Sequence, residues 1–269
     1  MALLEISQGD SPVILAFPHA GTDIPASIWE RLDENGRLLA DTDWHLDRLY
    51  AGLLPGATMV KANFHRYVID ANRDPAGVSL YPGQNTTGLV PETDFDGLSI
   101  WREGCLPTAD DIAERLVGFH APYHAALSAE VERVRALHGV AILYDCHSIR
   151  SEIPFLFDGK LPDFNIGTDG SRTCAPQVET SVLAVAMKAA GYTAVLNGRF
   201  KGGWTTRHYG DPGRGVHAIQ MELAQSSYLE SEKTPFAFSP AKAKSLRPHL
   251  EELLAQISAF APHLSRQIR

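Results

Sequence analysis

Short apolar runs, many of them β-branched, recur along the chain and are separated by stretches with apolar residues three or four positions apart. Apolar runs of this length are typical of buried strands, and the wider spacing is typical of amphipathic helices. The predicted strands are residues 13–17, 57–60, 67–69, 140–144, 192–196 and 216–223. The predicted helices are residues 41–53, about 108–138, 176–190 and 240 to about 260.

The second of these helices carries clear boundary signals. Thr108, followed by Asp110 and Asp111, is a plausible N-cap region, and Gly139 is well placed to end the helix. Pro122 is expected to kink or split it. Strands and helices alternate over the whole length, which predicts a single α/β domain over residues 1–269 with helices on both faces of one sheet.

Composition narrows the possible partners. The chain has 269 residues, of which 44% are hydrophobic and 21% charged, and its net charge is −8. A negative protein is a poor match for nucleic acid or an anionic membrane, and a small anion would need a locally basic pocket. The expected partner is a small anionic molecule, and the chain is expected to be a monomer or small homo-oligomer. Three irregularly spaced cysteines and a start without a signal-like segment favour the cytoplasm.

Two histidines follow buried strands in matching contexts. His19 comes after VILAFP, and His147 lies at the end of VAILYDCHS. Because ligands gather at the carboxyl ends of strands in open α/β sheets, the two imidazoles are well placed to share one metal ion. The alternative for each is a simple hydrogen bond to a loop. A cysteine nucleophile at Cys146 is disfavoured, since neighbours on a strand point to opposite faces and His147 would face away.

Further polar residues in the chain could act beside a metal ion. The segment DTDWHLD offers Asp41, Asp43 and Asp47 as acids that either cap a helix or reach the metal. In VHAIQMELAQ, Glu222 shares a strand face with Gln220, and a buried glutamate is costly unless it is paired or used. Beside a metal it would be a general base; otherwise it pairs with a basic residue.

Two further segments carry basic residues. HRYVIDANRDP contains Arg66, Asn72 and Arg73, which either bind a carboxylate or, for Arg66, pair internally with Asp70. NGRFKGGWTTRHYG contains Arg199, Lys201, Arg207 and His208 around two glycines and matches no phosphate-binding loop. It is either a mobile loop that closes on an anion or a solvated surface loop. The long irregular stretch 72–107 is interpreted as a loop that covers the substrate.

Taken together, these stretches resemble the N-formylglutamate amidohydrolase (N-formylglutamate deformylase) family, which acts in histidine breakdown. The matching segments, in order along almost the whole chain, are PHAG at 18–21, DTDWH at 41–45, RYVID-NR at 66–73, YH at 123–124, DCHSIRS at 145–151, LFDGKLPDFNIGT at 156–168, NGRFKGG–TRHYGDP at 197–212 and QMELAQSSY at 220–228. The resemblance implies a three-layer α/β/α fold with a mixed, mostly parallel sheet. This architecture is zinc-carboxypeptidase-like (phosphorylase/hydrolase-like).

The resemblance also implies roles for single residues. His19 and His147 would bind Zn²⁺ or another divalent metal. The position that carries the acidic ligand in carboxypeptidases is Thr22 here, which is not a carboxylate. Asp43 is therefore the preferred third ligand, with Asp47 and Asp23 as alternatives.

The implied reaction is hydrolysis of N-formyl-L-glutamate to formate and L-glutamate. Glu222 would be the general base, and Arg66 or Arg207 would stabilise the oxyanion. The substrate's carboxylates would be bound by two groups of residues: the Asn72–Arg73 pair for the α-carboxylate, and Lys201, Arg207 or His208 for the side chain. The alternative is a zinc-dependent deacylase for another N-acyl acidic amino acid, similar to aspartoacylase; an acidic-amino-acid binding protein without catalysis is a third possibility.

Overall fold

The computed structural model describes residues 2–79 and 83–267, and within them seven strands form one sheet. The strands are β1 (Leu4–Ser7), β2 (Val13–Phe17), β3 (Thr58–Ala62), β4 (Ala141–Ile149), β5 (Phe164–Gly167), β6 (Ala194–Leu196) and β7 (Val216–Ala224). Their order across the sheet is β1-β3-β2-β4-β7-β5-β6.

The centre of the sheet is parallel. Strands β3, β2, β4 and β7 run in the same direction, whereas β1 pairs antiparallel with β3 and β5 antiparallel with β7. The nine residues of β4 and the nine of β7 are all buried, and the two strands pair along their full length. The carboxyl ends of β2, β4 and β7 therefore meet at one edge of the sheet, where a site is expected.

Helices cover both faces. They are α1 (Ala26–Trp29), α2 (Leu46–Tyr50), α3 (Ala109–Arg115), α4 (Ala121–His138), α5 (Pro176–Lys188), α6 (Trp204–Tyr209) and α7 (Pro240–Gln267). One core contains apolar residues of α2, α5 and α7, and the other contains those of α4. The predicted α/β fold with a mixed, mostly parallel sheet between helices is confirmed. Within the described residues, no helix is both long and apolar enough to cross a lipid bilayer.

Strict alternation along β4 decides which of its side chains face the site. Ile142, Tyr144 and Cys146 belong to the core beneath α5 and α7, whereas Leu143 belongs to the core beneath α4. His147 shares the parity of Leu143, so it lies on the opposite face from Cys146. The strand continues to Ile149, five residues beyond its predicted end, so His147 sits within the strand.

The predicted helix at 108–138 is interrupted near Pro122, in agreement with the predicted kink or split. Thr108 caps α3 reciprocally with Asp111, and Gly139 ends α4 at a φ of 72°. Between the two helices, residues Leu116–His120 form a π-helical turn that ends just before Pro122. A π turn widens the hydrogen-bond ladder, so the chain continues through a proline that lacks an N–H.

Other sequence predictions need correction. Residues 67–69 are not a strand: Arg66–Val68 form a turn, and the apolar side chains are buried because the turn packs into the core beneath α4. The helix predicted at 41–53 is only α2, since Asp41 and Asp43 lie in the irregular segment before it. The short elements β1, β5, α1 and α6 were not predicted, and α7 runs past the predicted end.

Candidate active site

Three buried side chains from distant parts of the chain come together at the carboxyl edge of the sheet. His19 follows β2, Asp43 precedes α2, and His147 lies in β4. One potential ligand atom from each lies within 4.8 Å of those of the other two. The Nδ1 atoms of His19 and His147 lie 3.9 Å and 3.4 Å from Asp43 Oδ2. Two imidazoles and a carboxylate converge on one point.

The other nitrogen of each ring faces a second carboxylate. His19 Nε2 lies 2.7 Å from Asp70 Oδ1, and His147 Nε2 lies 3.1 Å from Asp145 Oδ1. Asn72 Nδ2 is also 3.1 Å from His147 Nε2. A carboxylate beside the outer ring nitrogen fixes the tautomer of a metal-binding histidine and leaves the inner nitrogen to donate its lone pair. Asp70 orients the His19 ring in this way. At His147, the hydrogen-bond partner of Nε2 is the Asn72 amide, and Asp145 Oδ1 lies at ion-pair distance without a hydrogen bond among the described residues.

Of the three acidic residues predicted as the third ligand, Asp43 is the one that lies beside the two histidines. Its backbone N–H donates to the His19 carbonyl at 3.1 Å, and Ser148 N–H donates to its carboxylate at 3.2 Å. Asp47 instead accepts from Lys61 at 2.9 Å, and Asp23 pairs through its backbone with the segment around Phe64. The structure thus brings Asp43, but neither alternative, to the histidine pair.

The residues present fit a divalent transition metal. Two neutral imidazoles and one carboxylate are the ligand set of many catalytic zinc sites, which keep a further position open for water or substrate. Burial, together with the positive charge of Arg66, lowers the pKa of His19 and favours the neutral ring that a metal needs. Although burial opposes it, the carboxylates of Asp145 and Asp43 raise the pKa of His147 well above its ordinary value. A metal would therefore displace a proton at His147.

Glu222 lies next to this group because β4 and β7 are in register. His147 and Glu222 are directly paired neighbours, as are Asp145 and Gln220. Gln220 Nε2 donates to Glu222 Oε2 at 3.1 Å. Burial, and then the nearby Asp43, raises the pKa of Glu222 to about 8. A carboxyl group that titrates near neutral pH beside a metal-binding cluster is suited to proton transfer.

A cleft opens from the cluster to the surface. Arg66 donates to Asp70 at 2.5 Å and lies over the Phe95 ring, 4.7 Å from its centroid. The predicted internal pair of Arg66 and Asp70 therefore exists, and Arg66 also lines the cleft. Although burial opposes it, Arg66 and Arg73 hold the pKa of Asp70 well below its usual range. The described residues lining the cleft are His19, Asp43, Arg66, Asn72, Arg73, Asn85, Thr86, Thr87, Phe95, His147, Ser148, Ile149, Leu156, Arg199, Phe200, Gly203, Gln220 and Glu222.

The basic segment at residues 199–208 contributes Arg199 to the cleft, a residue that was not predicted to bind the substrate. Within residues 2–79 and 83–267, the lining of the cleft includes Arg199 but not Lys201, Arg207 or His208. Arg207 and His208 lie in α6, where His208 stacks on Trp204. Composition alone gave no means of ranking these neighbouring basic residues.

Helix α6 and its preceding glycines close one wall. Gly203 N–H donates to Gln220 Oε1 at 2.6 Å, and Thr205 N–H donates to Asn72 Oδ1 at 2.8 Å. A Cβ on Gly203 would collide with the Asn72 amide, so only glycine permits this approach. Asn72 is therefore fixed by α6 on one side and by His147 on the other.

Two further histidines, His120 and His124, fix the backbone around Asn72. His124 Nε2 donates to the Ala71 carbonyl at 2.8 Å, and His120 Nε2 donates to the Arg73 carbonyl at 3.1 Å. Burial lowers the pKa of both imidazoles, to about 3 for His124, so they donate as neutral rings. The motif YH at 123–124 was the only sequence signal of this arrangement.

The thiol of Cys146 is not a nucleophile candidate in the structure. Cys146 is fully buried, and its Sγ contacts the carbonyl of Tyr144 at 3.5 Å. Burial raises the pKa of this thiol well above its ordinary value, which disfavours the reactive thiolate.

The irregular stretch 72–107 forms part of the cleft wall. Asn85, Thr86, Thr87 and Phe95 line the cleft, whereas Trp101 is buried away from it and donates to the Pro91 carbonyl at 2.8 Å. Residues 80–82 of the predicted covering loop lie outside the described residues. The stretch is thus both a core-packed segment and a wall of the site.

Comparisons with known proteins agree with this architecture. A family model described as N-formylglutamate amidohydrolase matches residues 11–229. An N-formylglutamate deformylase of Pseudomonas aeruginosa is 44% identical over 260 residues, covering 96% of this chain and 97% of the relative. One of Pseudomonas putida is 44% identical over 259 residues, covering 96% of each. A crystal structure of N-formylglutamate amidohydrolase from Ralstonia eutropha JMP134 matches with a TM-score of 0.79 at 25% identity, covering 98% of this chain and 99% of that one. The chain belongs to the N-formylglutamate amidohydrolase family.

Proposed function

We propose that this chain is an N-formylglutamate deformylase that hydrolyses N-formyl-L-glutamate to formate and L-glutamate in histidine degradation, with one zinc ion bound by His19, Asp43 and His147. Family membership over most of the chain supports the reaction. The observation that carries the mechanism is the register of β4 and β7, which sets Glu222 beside His147 and the carboxylate of Asp43. A metal-binding group and a proton acceptor are the two parts that amide hydrolysis by water requires.

His19, Asp43 and His147 would hold the metal through the two Nδ1 atoms and a carboxylate oxygen. When bound, zinc supplies Lewis acidity to the formyl carbonyl and makes a water molecule more acidic. Asp70 keeps the His19 ring in the tautomer that this binding needs, and the carboxylate of Asp145 lies 3.1 Å from the outer nitrogen of His147.

Glu222 would move the proton. Its carboxylate takes a proton from the attacking water as the new C–O bond forms at the formyl carbon. It then delivers that proton to the nitrogen as the C–N bond breaks, so formate and the free amine leave. Burial raises the pKa of Glu222 above its ordinary value, and the positive charge of a bound zinc ion would lower it again and favour the carboxylate form that accepts the proton. Gln220 holds one carboxylate oxygen and so orients the group.

Arginines would handle the negative charge of the substrate and of the transition state. Arg66 carries a fixed positive charge beside the cluster, where it would stabilise the oxyanion that develops on the formyl oxygen. Arg73, fixed through bonds to Thr87, and Asn72 lie on the adjacent wall and would bind the α-carboxylate.

The test is a substrate panel with purified protein. Release of formate or acetate is measured with N-formyl-L-glutamate, N-acetyl-L-glutamate, N-formyl-L-aspartate and N-acetyl-L-aspartate. We expect the highest kcat/KM with N-formyl-L-glutamate. A preference for an N-acetyl substrate would replace the proposal with the aspartoacylase-like alternative, and no hydrolysis of any member would leave a binding protein. Elemental analysis of the protein as purified identifies the metal, and one zinc per chain is expected.

A further inference from the structure

We propose that Arg199 recognises the second, side-chain carboxylate of the substrate and thereby makes the cleft selective for N-formyl dicarboxylic amino acids. This inference rests on the proposed function and deepens it. Lys201, Arg207 or His208 was predicted to bind this carboxylate, but among the described residues Arg199 lines the cleft and these three do not.

The guanidinium of Arg199 has a defined position in the cleft wall. Its Nε donates to the Leu156 carbonyl at 3.0 Å, and its Nη2 donates to the Asn85 carbonyl at 3.1 Å. The group also lies over the Phe200 ring, 5.3 Å from its centroid. The side chain is half-buried. These two bonds orient the planar group within the cleft wall.

Arg199 and Arg73 are fixed at opposite ends of the same short strip of wall, residues 85–87. Arg73 Nε donates to the Thr87 carbonyl at 2.9 Å and Nη2 to the Thr87 hydroxyl at 3.0 Å. Arg199 is attached to Asn85. Two arginines held a few residues apart on one strip match a ligand whose two carboxylates are separated by a short chain of sp³ carbons, as in glutamate.

The third arginine of the cleft, Arg66, is held at the candidate metal site. Arg66 is buried and bonds to Asp70 at 2.5 Å, next to the metal-binding cluster. Arg73 Nη1 lies 3.6 Å from the same carboxylate of Asp70, whereas Arg199 is held by the Leu156 and Asn85 carbonyls. With the formyl group at the cluster and the α-carboxylate at Arg73, the side-chain carboxylate of the substrate would lie beside Arg199.

Arg207, one of the residues predicted to bind this carboxylate, has other partners. Arg207 Nε donates to the Gly202 carbonyl at 2.9 Å and lies 3.4 Å from Asp169 Oδ1. Arg207 is thus held beside Asp169 and is not among the described residues that line the cleft. Arg199, by contrast, is oriented by carbonyls on the cleft wall itself.

The experiment compares N-formyl-L-glutamate with N-formyl-L-glutamine, which has the same shape but a neutral side-chain amide. A site built around a charge rejects an analogue that lacks the matching group, because its own cation then stays unpaired. In R199M, kcat/KM for N-formyl-L-glutamate is expected to fall on the order of 100-fold, mainly through KM, while that for N-formyl-L-glutamine changes by less than about threefold. R199K, which keeps the charge but loses the planar fork, should lie in between. Arg172→Met removes an equal charge from an exposed position and should leave the ratio of the two substrates unchanged.

Each outcome distinguishes the two levels of the proposal. If the wild-type chain hydrolyses N-formyl-L-glutamate and R199M keeps the glutamate-to-glutamine ratio of the wild type, the role of Arg199 is wrong and the proposed function stands. An equal loss on both substrates also contradicts the inference, because it indicates a general structural role. Collapse of the ratio in Arg207→Met but not in R199M would assign selectivity to α6. If the wild type hydrolyses neither substrate, the proposed function fails; calorimetric binding of glutarate to wild type but not to R199M would then still support the carboxylate site, and equal binding would overturn it.

Discussion

At the scale of single residues, Glu222 is the group to which the proposed mechanism assigns proton transfer. In Glu222→Gln, kcat for N-formyl-L-glutamate is expected to fall by about 10²–10⁴-fold because an amide cannot accept the proton. Metal content should stay at the wild-type level, since the three metal-binding side chains remain. Formate release and elemental analysis on the same sample measure both quantities. Glu230→Gln, at an exposed position, is the matched control. Wild-type turnover in Glu222→Gln would contradict the assignment.

Asp41 lies in the same segment as Asp43, but it affects the pH dependence of the stability of the fold. It is buried, accepts from the Tyr67 hydroxyl at 2.9 Å and from Phe95 N–H at 3.0 Å, and burial raises its pKa to about 7 from an ordinary value of 3.8. The folded state therefore binds a proton that the unfolded state releases between these two values. The contribution of Asp41 is fully present below the lower value and is lost as pH rises through the higher one.

The pH dependence of unfolding in an Asp41 variant tests this sign. From pH 4.5 to 7.5 the free energy of unfolding of the wild type should lose more, or gain less, than that of Asp41→Asn, which has no proton to release there. Chemical unfolding at several pH values in each protein measures the difference. Asp110→Asn, at an exposed position, is the control. Parallel pH profiles for wild type and Asp41→Asn would rule out a raised pKa at Asp41.

At the scale of elements, the π turn and the start of α4 position the wall that carries Asn72 and Arg73. His120 and His124 donate to the carbonyls on either side of Asn72. His124→Phe keeps the ring volume but removes the donor, so the Ala71 carbonyl loses its partner and the wall loosens. We expect KM for N-formyl-L-glutamate to rise on the order of 10-fold, with kcat changed much less. His124→Gln, which can donate to the same carbonyl, should recover part of the loss. A fall in thermal stability with unchanged KM would show a purely structural role.

Long periodic or fully apolar segments could be predicted from the sequence, and short polar ones could not. Strands β2 and β7 and helix α5 were predicted within a few residues because burial on one or both faces sets their pattern. Strand β5 was missed because it contains the buried polar residue Asn165, whose amide nitrogen donates to the carbonyls of Pro162 and Glu222. Such compensation is visible only in three dimensions. The apolar residues at 67–69 were misassigned for a related reason: burial of a turn and burial of a strand leave the same pattern.

At the scale of the whole molecule, the site residues on or directly after regular strands could be predicted, and those in irregular segments could not. His19 and His147 follow from the rule that parallel strands present functional groups at their carboxyl ends, and Glu222 follows from the cost of a glutamate in a buried strand. The choice among Asp43, Asp47 and Asp23, and the choice of Arg199 over its neighbours, depend on how irregular segments cross that edge. No spacing rule predicts those paths. The prediction that residues 1–269 form one domain stays a prediction; the structure shows one continuous sheet across the described residues.

Because the proposed metal ligands His19, Asp43 and His147 come from segments far apart in the chain, metal binding should stabilise the whole fold. Ligand at about 1,000 times its Kd stabilises a protein by about 4 kcal/mol. For a chain of this size that corresponds to a rise in Tm of about 10 °C. Thermal unfolding of chelator-treated protein with and without added zinc measures the shift. Asp43→Asn should lose most of it, whereas Asp47→Asn, whose carboxylate pairs with Lys61 instead, should keep it. The reverse pattern would assign the third ligand to Asp47, and an equal shift in both variants would place the metal away from the triad.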